Sequence, residues 1–217
     1  MRLGIMGGTF DPIHWGHIHM AQAALAELGL DQVLLLPDGD PPHKEPYAAL
    51  ADRLHMVRLA AGEDLRFAWS DMEMLRPGRT YTVDTLTHLS EMYPGSQLTY
   101  LIGSDTLKVF DSWKTAARVA QLCDMAVVLR GADTRDEIRQ VMADLNNRFG
   151  LRATLLREPG DDISSTAIRQ AARRGEPLEA FVPPSVAAYI AEHGLYTTPD
   201  ALPAAQSEAR HLLAELG

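Results

Sequence analysis

Gly7-Gly8-Thr9-Phe10-Asp11-Pro12-Ile13-His14-Trp15-Gly16-His17 follows a short apolar run and precedes a segment of helical periodicity. Residue types in this order can hold phosphate. Gly7 and Gly8 let the main chain approach a ligand and take positive φ, while a helix beginning near Ile13 aims free N–H groups and a partial positive charge at the same spot. His14 and His17 then share one side of the first turn and can donate to phosphate oxygens. The chemistry such a loop suits is phosphoryl or nucleotidyl transfer, where positioning and charge neutralisation on oxygen matter more than a nucleophile. Two other readings of the histidines are structural support at a helix start and, together with His19, zinc ligation, which needs a further ligand from elsewhere. The glycines lack the G-x-G-x-x-G spacing of dinucleotide dehydrogenases.

A second constellation is Ile163-Ser164-Ser165-Thr166-Ala167-Ile168-Arg169. Consecutive hydroxyls open a helix there, and Arg169 lies one turn further in, so hydroxyls, free N–H groups and a guanidinium can meet phosphate together. Taken alone, the segment reads equally well as an ordinary helix cap. Asp105 follows Gly103 at the end of an apolar run, where ligands gather in parallel sheets. It suits ribose hydroxyls or Mg²⁺, and a cap for a helix over 106–110 suits it as well.

These loops need a frame. Short apolar runs at 3–6, 32–37, 66–71, 98–102, 125–129 and 153–156 alternate with helical periodicity at 18–28, 49–61, 83–92 and 135–149. The pattern predicts an α/β fold: a doubly wound, Rossmann-like parallel sheet with helices on both faces. A C-terminal helical region follows, with one helix opening at Ser164 or Ser165 and stopping at Gly175, and another running from Pro183-Pro184 to Gly194. Residues 1–196 read as one domain, and 197–217 as an Ala- and Leu-rich helical tail that is either a docked or frayed terminus or a dimer contact.

Composition narrows the partners. The hydrophobic fraction of 46% and charged fraction of 23% over 217 residues are those of a globular protein with a normal core. A net charge of −9 without a Lys/Arg cluster excludes broad nucleic-acid binding, so phosphorylated ligands have to be met by a few aimed groups in a pocket. No apolar run reaches the ~20 residues of a membrane helix, and MRLGIMGG is too short for an export signal, which predicts a cytoplasmic protein. The lone Cys123, in the apolar stretch LCDMAVVL, reads as a buried spectator.

The pair GGTFDPIHWGH and ISSTAIR resembles the adenylyltransferase branch of the nucleotidyltransferase superfamily, specifically the bacterial nicotinate-nucleotide adenylyltransferases. The likeness extends through PPHK at 41–44, TYTVDTL at 80–86, LIGSDTLKVFDSWK at 101–114 and VPPSVAAYIAEHGLY at 182–196. It implies transfer of the adenylyl group of ATP to nicotinate mononucleotide, giving nicotinate adenine dinucleotide and pyrophosphate in NAD synthesis. An adenylyltransferase for another phosphorylated acceptor, nicotinamide mononucleotide or phosphopantetheine, is the alternative.

By this resemblance His14, His17 and Arg169 are catalytic, and ATP is bound by Gly7, Gly8, Thr9, Phe10, His14, His17, Asp105, Ser164, Ser165, Thr166 and Arg169. Mg²⁺ comes with the triphosphate, held through its phosphates rather than at a protein metal site. His43 and Lys44 lie near the mononucleotide phosphate, Thr80, Tyr81 and Thr82 around the nicotinate end, and Trp113 against the pyridine ring. Two stretches depart from the pattern: Leu129-Arg130-Gly131-Ala132-Asp133 stands where members commonly have Arg-Pro-Gly, and the tail after Tyr196 has no counterpart in a typical member.

Overall fold

The computed structural model describes residues 1–39, 45–76, 78–158 and 160–197. Along it run β1 (Arg2–Gly8), α1 (Trp15–Leu28), β2 (Gln32–Pro37), α2 (Leu50–Ala61), β3 (Phe67–Trp69), α3 (Met72–Leu75), α4 (Thr82–Met92), β4 (Gln97–Gly103), α5 (Ser104–Lys108), a 3₁₀ turn (Phe110–Ser112), α6 (Ala116–Leu122), β5 (Asp124–Val128), α7 (Arg135–Phe149), β6 (Ala153–Leu155), α8 (Ser165–Arg173) and α9 (Pro184–Glu192). The tail expected over 197–217 lies, beyond Thr197, outside the described residues.

The strands form a six-stranded sheet in the order β3-β2-β1-β4-β5-β6. β1 runs parallel to β4 with Ile5 opposite Tyr100, β4 parallel to β5 with Leu101 opposite Ala126, and β5 parallel to β6 with Val127 opposite Leu155. This is the expected Rossmann-like, doubly wound α/β order, which reverses between β1 and β4, the place where open sheets of this kind bind ligands. Strands buried on both faces have to be apolar throughout, and Ile5, Val33, Leu35, Ala126 and Val127 are all fully buried.

The described chain divides into two compact units of interleaved segments. One comprises Met1–Gly7, His19–Leu34 and Tyr81–Asp162. The other comprises Gly8–Ile18, Leu35–Thr80 and the described part of Ile163–Gly217. No helix among the described residues is long and apolar enough to cross a membrane.

Local chemistry explains where elements begin. α7 matches its expected span because Thr134 and Glu137 form a reciprocal capping box and Gly150 closes the helix at φ 70°. α1 starts at Trp15 instead of near Ile13, because the carbonyl of His14 accepts the first helical N–H groups, those of His17 and Ile18. The strand expected over 66–71 shortens to Phe67–Trp69. α6 was not expected: Thr115 precedes it in the left-handed region at φ 53° with no side-chain cap, so it lacks a start signal and rests on burial of Ala116, Val119 and Ala120.

Candidate functional site

In the unit containing Gly8–Ile18, the chain leaves β1 and turns at Phe10, whose φ is 47°. The positive φ expected of Gly7 and Gly8 therefore falls on Phe10, and both glycines still belong to β1. Phe10 is 2% exposed, and its ring meets that of His17 edge-on at 5.0 Å. Burial of this ring against a fixed neighbour is what holds a non-glycine residue in that conformation.

Asp11 anchors the next step of the loop. Its buried carboxylate accepts the N–H groups of Tyr47 at 2.7 Å and Ala48 at 3.0 Å and the hydroxyl of Tyr196 at 2.8 Å. The buried Tyr196 phenol is pushed well above its ordinary value, first by burial and then by the Asp11 charge, so it stays a donor.

His14 is buried, and His17 stands half-exposed in the first turn of α1 with the two ring centroids 3.8 Å apart. The His14 N–H donates to His17 Nδ1 at 3.2 Å. With Nδ1 an acceptor, the neutral His17 ring carries its proton on Nε2. The start of α1 is itself pinned: the Trp15 N–H donates to Phe181 O at 2.9 Å and its indole N–H to Glu179 O at 3.3 Å.

The start of α8 closes on this loop. Ser164 caps the helix by accepting the Ala167 N–H at 3.2 Å. The Ser165 hydroxyl donates to Pro12 O at 3.0 Å, and Arg169 donates through Nη1 to Asp11 O at 2.7 Å and through Nη2 to Thr166 Oγ1 at 3.2 Å. The Arg169 guanidinium also lies 4.4 Å above the Tyr47 ring. Thr9, Phe10, His14, His17, Ser164, Ser165, Thr166 and Arg169 thus belong to one compact unit with Gly8. Thr80 is in it too, 8% exposed, with a hydroxyl that has no hydrogen-bond partner among the described residues.

The other unit holds Gly7, Tyr81, Thr82, Asp105 and Trp113. Gly7 has no room for a side chain, since a Cβ there would run into Tyr100 Oη. Trp113 is half-buried, its ring 6.0 Å from that of Tyr100 and 5.3 Å from that of Phe110. Tyr81 caps α4 by its carbonyl, which accepts the N–H groups of Asp84 at 3.0 Å and Thr85 at 3.3 Å, and Thr82 opens the helix. Lys114 Nζ lies 4.1 Å above the Tyr81 ring and 3.3 Å from Asp84 Oδ2. Asp105 is exposed in the first turn of α5, which starts at Ser104, so the expected cap for a helix over 106–110 is not its place. His43 and Lys44 lie outside the described residues.

His19, the third histidine of the zinc alternative, pairs with Asp161 Oδ2 at 2.5 Å, and the described residues contain no group of three or more His, Cys, Asp or Glu arranged to hold a metal. Burial pushes the Cys123 thiol up to about 12, which keeps it protonated and unreactive.

The cytidylyltransferase-like family model matches residues 5–171. A protein of Synechococcus sp. (strain JA-3-3Ab) named "Probable nicotinate-nucleotide adenylyltransferase" is 44% identical over 201 residues, covering 91% of this chain and 96% of its own. One of the same name from Neisseria meningitidis serogroup B is 41% identical over 201 residues, covering 90% and 98%. The chain belongs to the nicotinate-nucleotide adenylyltransferase family. Among solved structures, nicotinic acid mononucleotide adenylyltransferase of Plasmodium falciparum complexed with NaAD has the same fold, with a TM-score of 0.73 at 18% identity over 90% of this chain and 97% of that one.

For a member of the nicotinate-nucleotide adenylyltransferase family, three residues outside the expected set organise the motif loop: Asp11, Tyr196 and Arg53. Arg53 is 1% exposed on α2 and donates through Nη1 to both Thr9 O and Asp38 O at 2.8 Å. Its sequence signal was a cation on the apolar stripe Leu50, Leu54, Val57 and Ala60. Lys114 had no signal, because its partners Tyr81 and Asp84 are some 30 positions away.

Proposed function

We propose that the protein transfers the adenylyl group of ATP to nicotinate mononucleotide, forming nicotinate adenine dinucleotide and pyrophosphate as a cytoplasmic step of NAD synthesis. The observation that carries this is the joining of two phosphate-binding segments, with Ser165 bonded to Pro12 and Arg169 to Asp11 beside the His14–His17 pair. The names of relatives 44% and 41% identical over most of the chain supply the acceptor.

In the reaction a phosphate oxygen of the mononucleotide attacks the α-phosphorus in line; a new P–O bond forms as the bond to the β-phosphate breaks, and pyrophosphate leaves with the electron pair. His17 meets the phosphate charge with its Nε2–H, next to His14. Ser164 accepts the Ala167 N–H and keeps its own hydroxyl proton for a phosphate oxygen, while the N–H groups of Ser165 and Thr166 have no acceptor inside α8. Arg169, with one nitrogen on Asp11 O and another on Thr166, offers its remaining N–H groups to the β- or γ-phosphate. Gly7, Gly8, Thr9 and Phe10 form the floor beneath the phosphates, and Asp105 serves ribose. Mg²⁺ arriving with the triphosphate would be held by its phosphates and would neutralise part of their charge.

On the acceptor side, His43 and Lys44 hold the mononucleotide phosphate and Trp113 stacks on the pyridine ring. Tyr81 and the N–H groups at the Thr82 start of α4 meet the nicotinate carboxylate; Thr80, whose hydroxyl has no hydrogen-bond partner among the described residues, serves the same end of the acceptor. The test is pyrophosphate release from MgATP with nicotinate mononucleotide, nicotinamide mononucleotide and phosphopantetheine. Nicotinate should lead nicotinamide by about 10²-fold or more in kcat/KM. A ratio near one refutes the carboxylate pocket, and a preference for phosphopantetheine refutes the acceptor assignment. MgATP binding without turnover on any acceptor would make the protein a nucleotide-binding regulator.

A further inference from the structure

Arg53 is a buried cation where an apolar residue would be expected. It sits on the inward stripe of α2 between Leu50, Leu54 and Val57, all buried, and its Nε has no hydrogen-bond partner among the described residues. Burial pulls its pKa down, and the nearby Asp38, Asp11 and Tyr196 oppose that. Replacing such a charge by a well-packed hydrophobe is often neutral or stabilising, so core packing is a poor reason for an arginine here.

Its contacts suggest another reason. Nη1 donates to two main-chain carbonyls, Thr9 O in the loop after β1 and Asp38 O just after β2, each at 2.8 Å. The same two segments are tied by the Asp38 N–H donating to Gly8 O at 2.9 Å and by the Thr9 hydroxyl lying 3.5 Å from Asp38 Oδ2. In a planar trans peptide the carbonyl and the following N–H point opposite ways. Holding Thr9 O toward the buried guanidinium therefore turns the Phe10 N–H to the other side of the loop, at the residue whose φ of 47° marks the turn.

We propose that Arg53 is a positioning residue for adenylyl transfer: it sets the Thr9–Phe10 peptide so that the loop between β1 and His14 presents its N–H side to phosphate. This rests on the functional reading above. Arg53 is 1% exposed and acts through main-chain carbonyls, so what it contributes is hydrogen-bond geometry, which a lysine at the same depth can partly reproduce with its own donors.

The experiment compares the full-length protein with Arg53→Met and Arg53→Lys, by thermal unfolding, by kcat and KM for both substrates, and by calorimetric titration with MgATP. Arg53→Met should stay folded yet lose about 10²-fold in kcat, the scale of a small misplacement at a reacting centre, with the KM for nicotinate mononucleotide nearly unchanged. Arg53→Lys should recover most of that loss. A folded Met variant with wild-type kcat and wild-type MgATP affinity overturns the proposal, as does a Lys variant that is fully stable but no more active than Met. If the Met variant does not fold, the Lys variant decides: normal stability with kcat within about tenfold of wild type supports the role, and a larger loss overturns it. Should the wild-type protein itself release no pyrophosphate, the function proposed above fails, and MgATP affinity alone then decides on Arg53, with a loss of about tenfold in the folded variant expected.

Discussion

The hydroxyl of Tyr100 occupies the space that a side chain on Gly7 would need. Tyr100 in turn stands edge-on to Trp113 at 6.0 Å, so a glycine at the end of the first strand sets the place of an aromatic ring on the acceptor side of the proposed site. Gly7→Ala should push Tyr100 aside and cost about 1–3 kcal/mol, the usual range for overpacking. Adding Tyr100→Phe should restore most of it, since the ring carbon Cζ is 3.4 Å from the new Cβ and makes an ordinary contact. Thermal unfolding checks this, and a double variant that melts no later than Gly7→Ala would disprove the steric account.

His17 holds its Nδ1 against the His14 N–H, leaving Nε2 to carry the proton. His17→Ala should keep the fold and lose about 10²-fold in kcat, as expected for one donor removed from a phosphate in the transition state. His17→Gln, whose amide nitrogen reaches the Nε2 position, should lose less than His17→Asn, whose amide mimics Nδ1. Steady-state kinetics on the three variants give the ranking; equal losses for Gln and Asn would show that the Nε2 donor is not what matters.

Arg169 both braces Asp11 O and is proposed to face the triphosphate. Arg169→Ala should weaken MgATP by about tenfold or more while the acceptor KM changes little, because the triphosphate has the extra charge for a guanidinium to meet. Arg169→Lys should restore little of this, since one ammonium cannot brace the carbonyl and pair with phosphate in two directions. Equal losses for the two substrates would contradict the division of roles.

Tyr196 predicts a pH dependence. Its folded-state pKa is raised well above the usual 10, so the stability it contributes is fully present below about pH 10 and is lost as pH rises from there through the folded value. Tyr196→Phe should be less stable at neutral pH by about 1–3 kcal/mol, because Asp11 Oδ1 loses a buried donor, and should show a shallower decline in stability above pH 10. Denaturant melts at pH 7 through 11 measure both, and parallel curves for the two proteins would rule out Tyr196 as the source.

The frame and the place of the loop after β1 are legible because they are written locally. Apolar runs such as 33–36 announce strands buried on both faces, Thr134 with Glu137 announces a helix start, and Ser164 is a cap before it is anything else. The parts that hold the loop were harder to see. The Thr9 carbonyl is met by Arg53 from 44 positions away, and Asp11 by Tyr196 from 185. The positive φ was assigned to glycines on general grounds, yet it falls on Phe10, because a ring buried against His17 can hold a conformation that the backbone alone disfavours. Bonds between residues so far apart in the chain leave little local trace beyond a cation on an apolar stripe, as at Arg53.

The bond between Tyr196 and Asp11 also bears on how the protein is made. Both motif segments, 7–17 and 163–169, precede Tyr196 in the chain, so during synthesis the Asp11 carboxylate is made well before its phenol donor. Asp11 gains that third donor, beside the N–H groups of Tyr47 and Ala48, only once Tyr196 has followed. Products of premature termination between Arg169 and Tyr196 would carry both segments and still lack the bond that Tyr196 makes to Asp11.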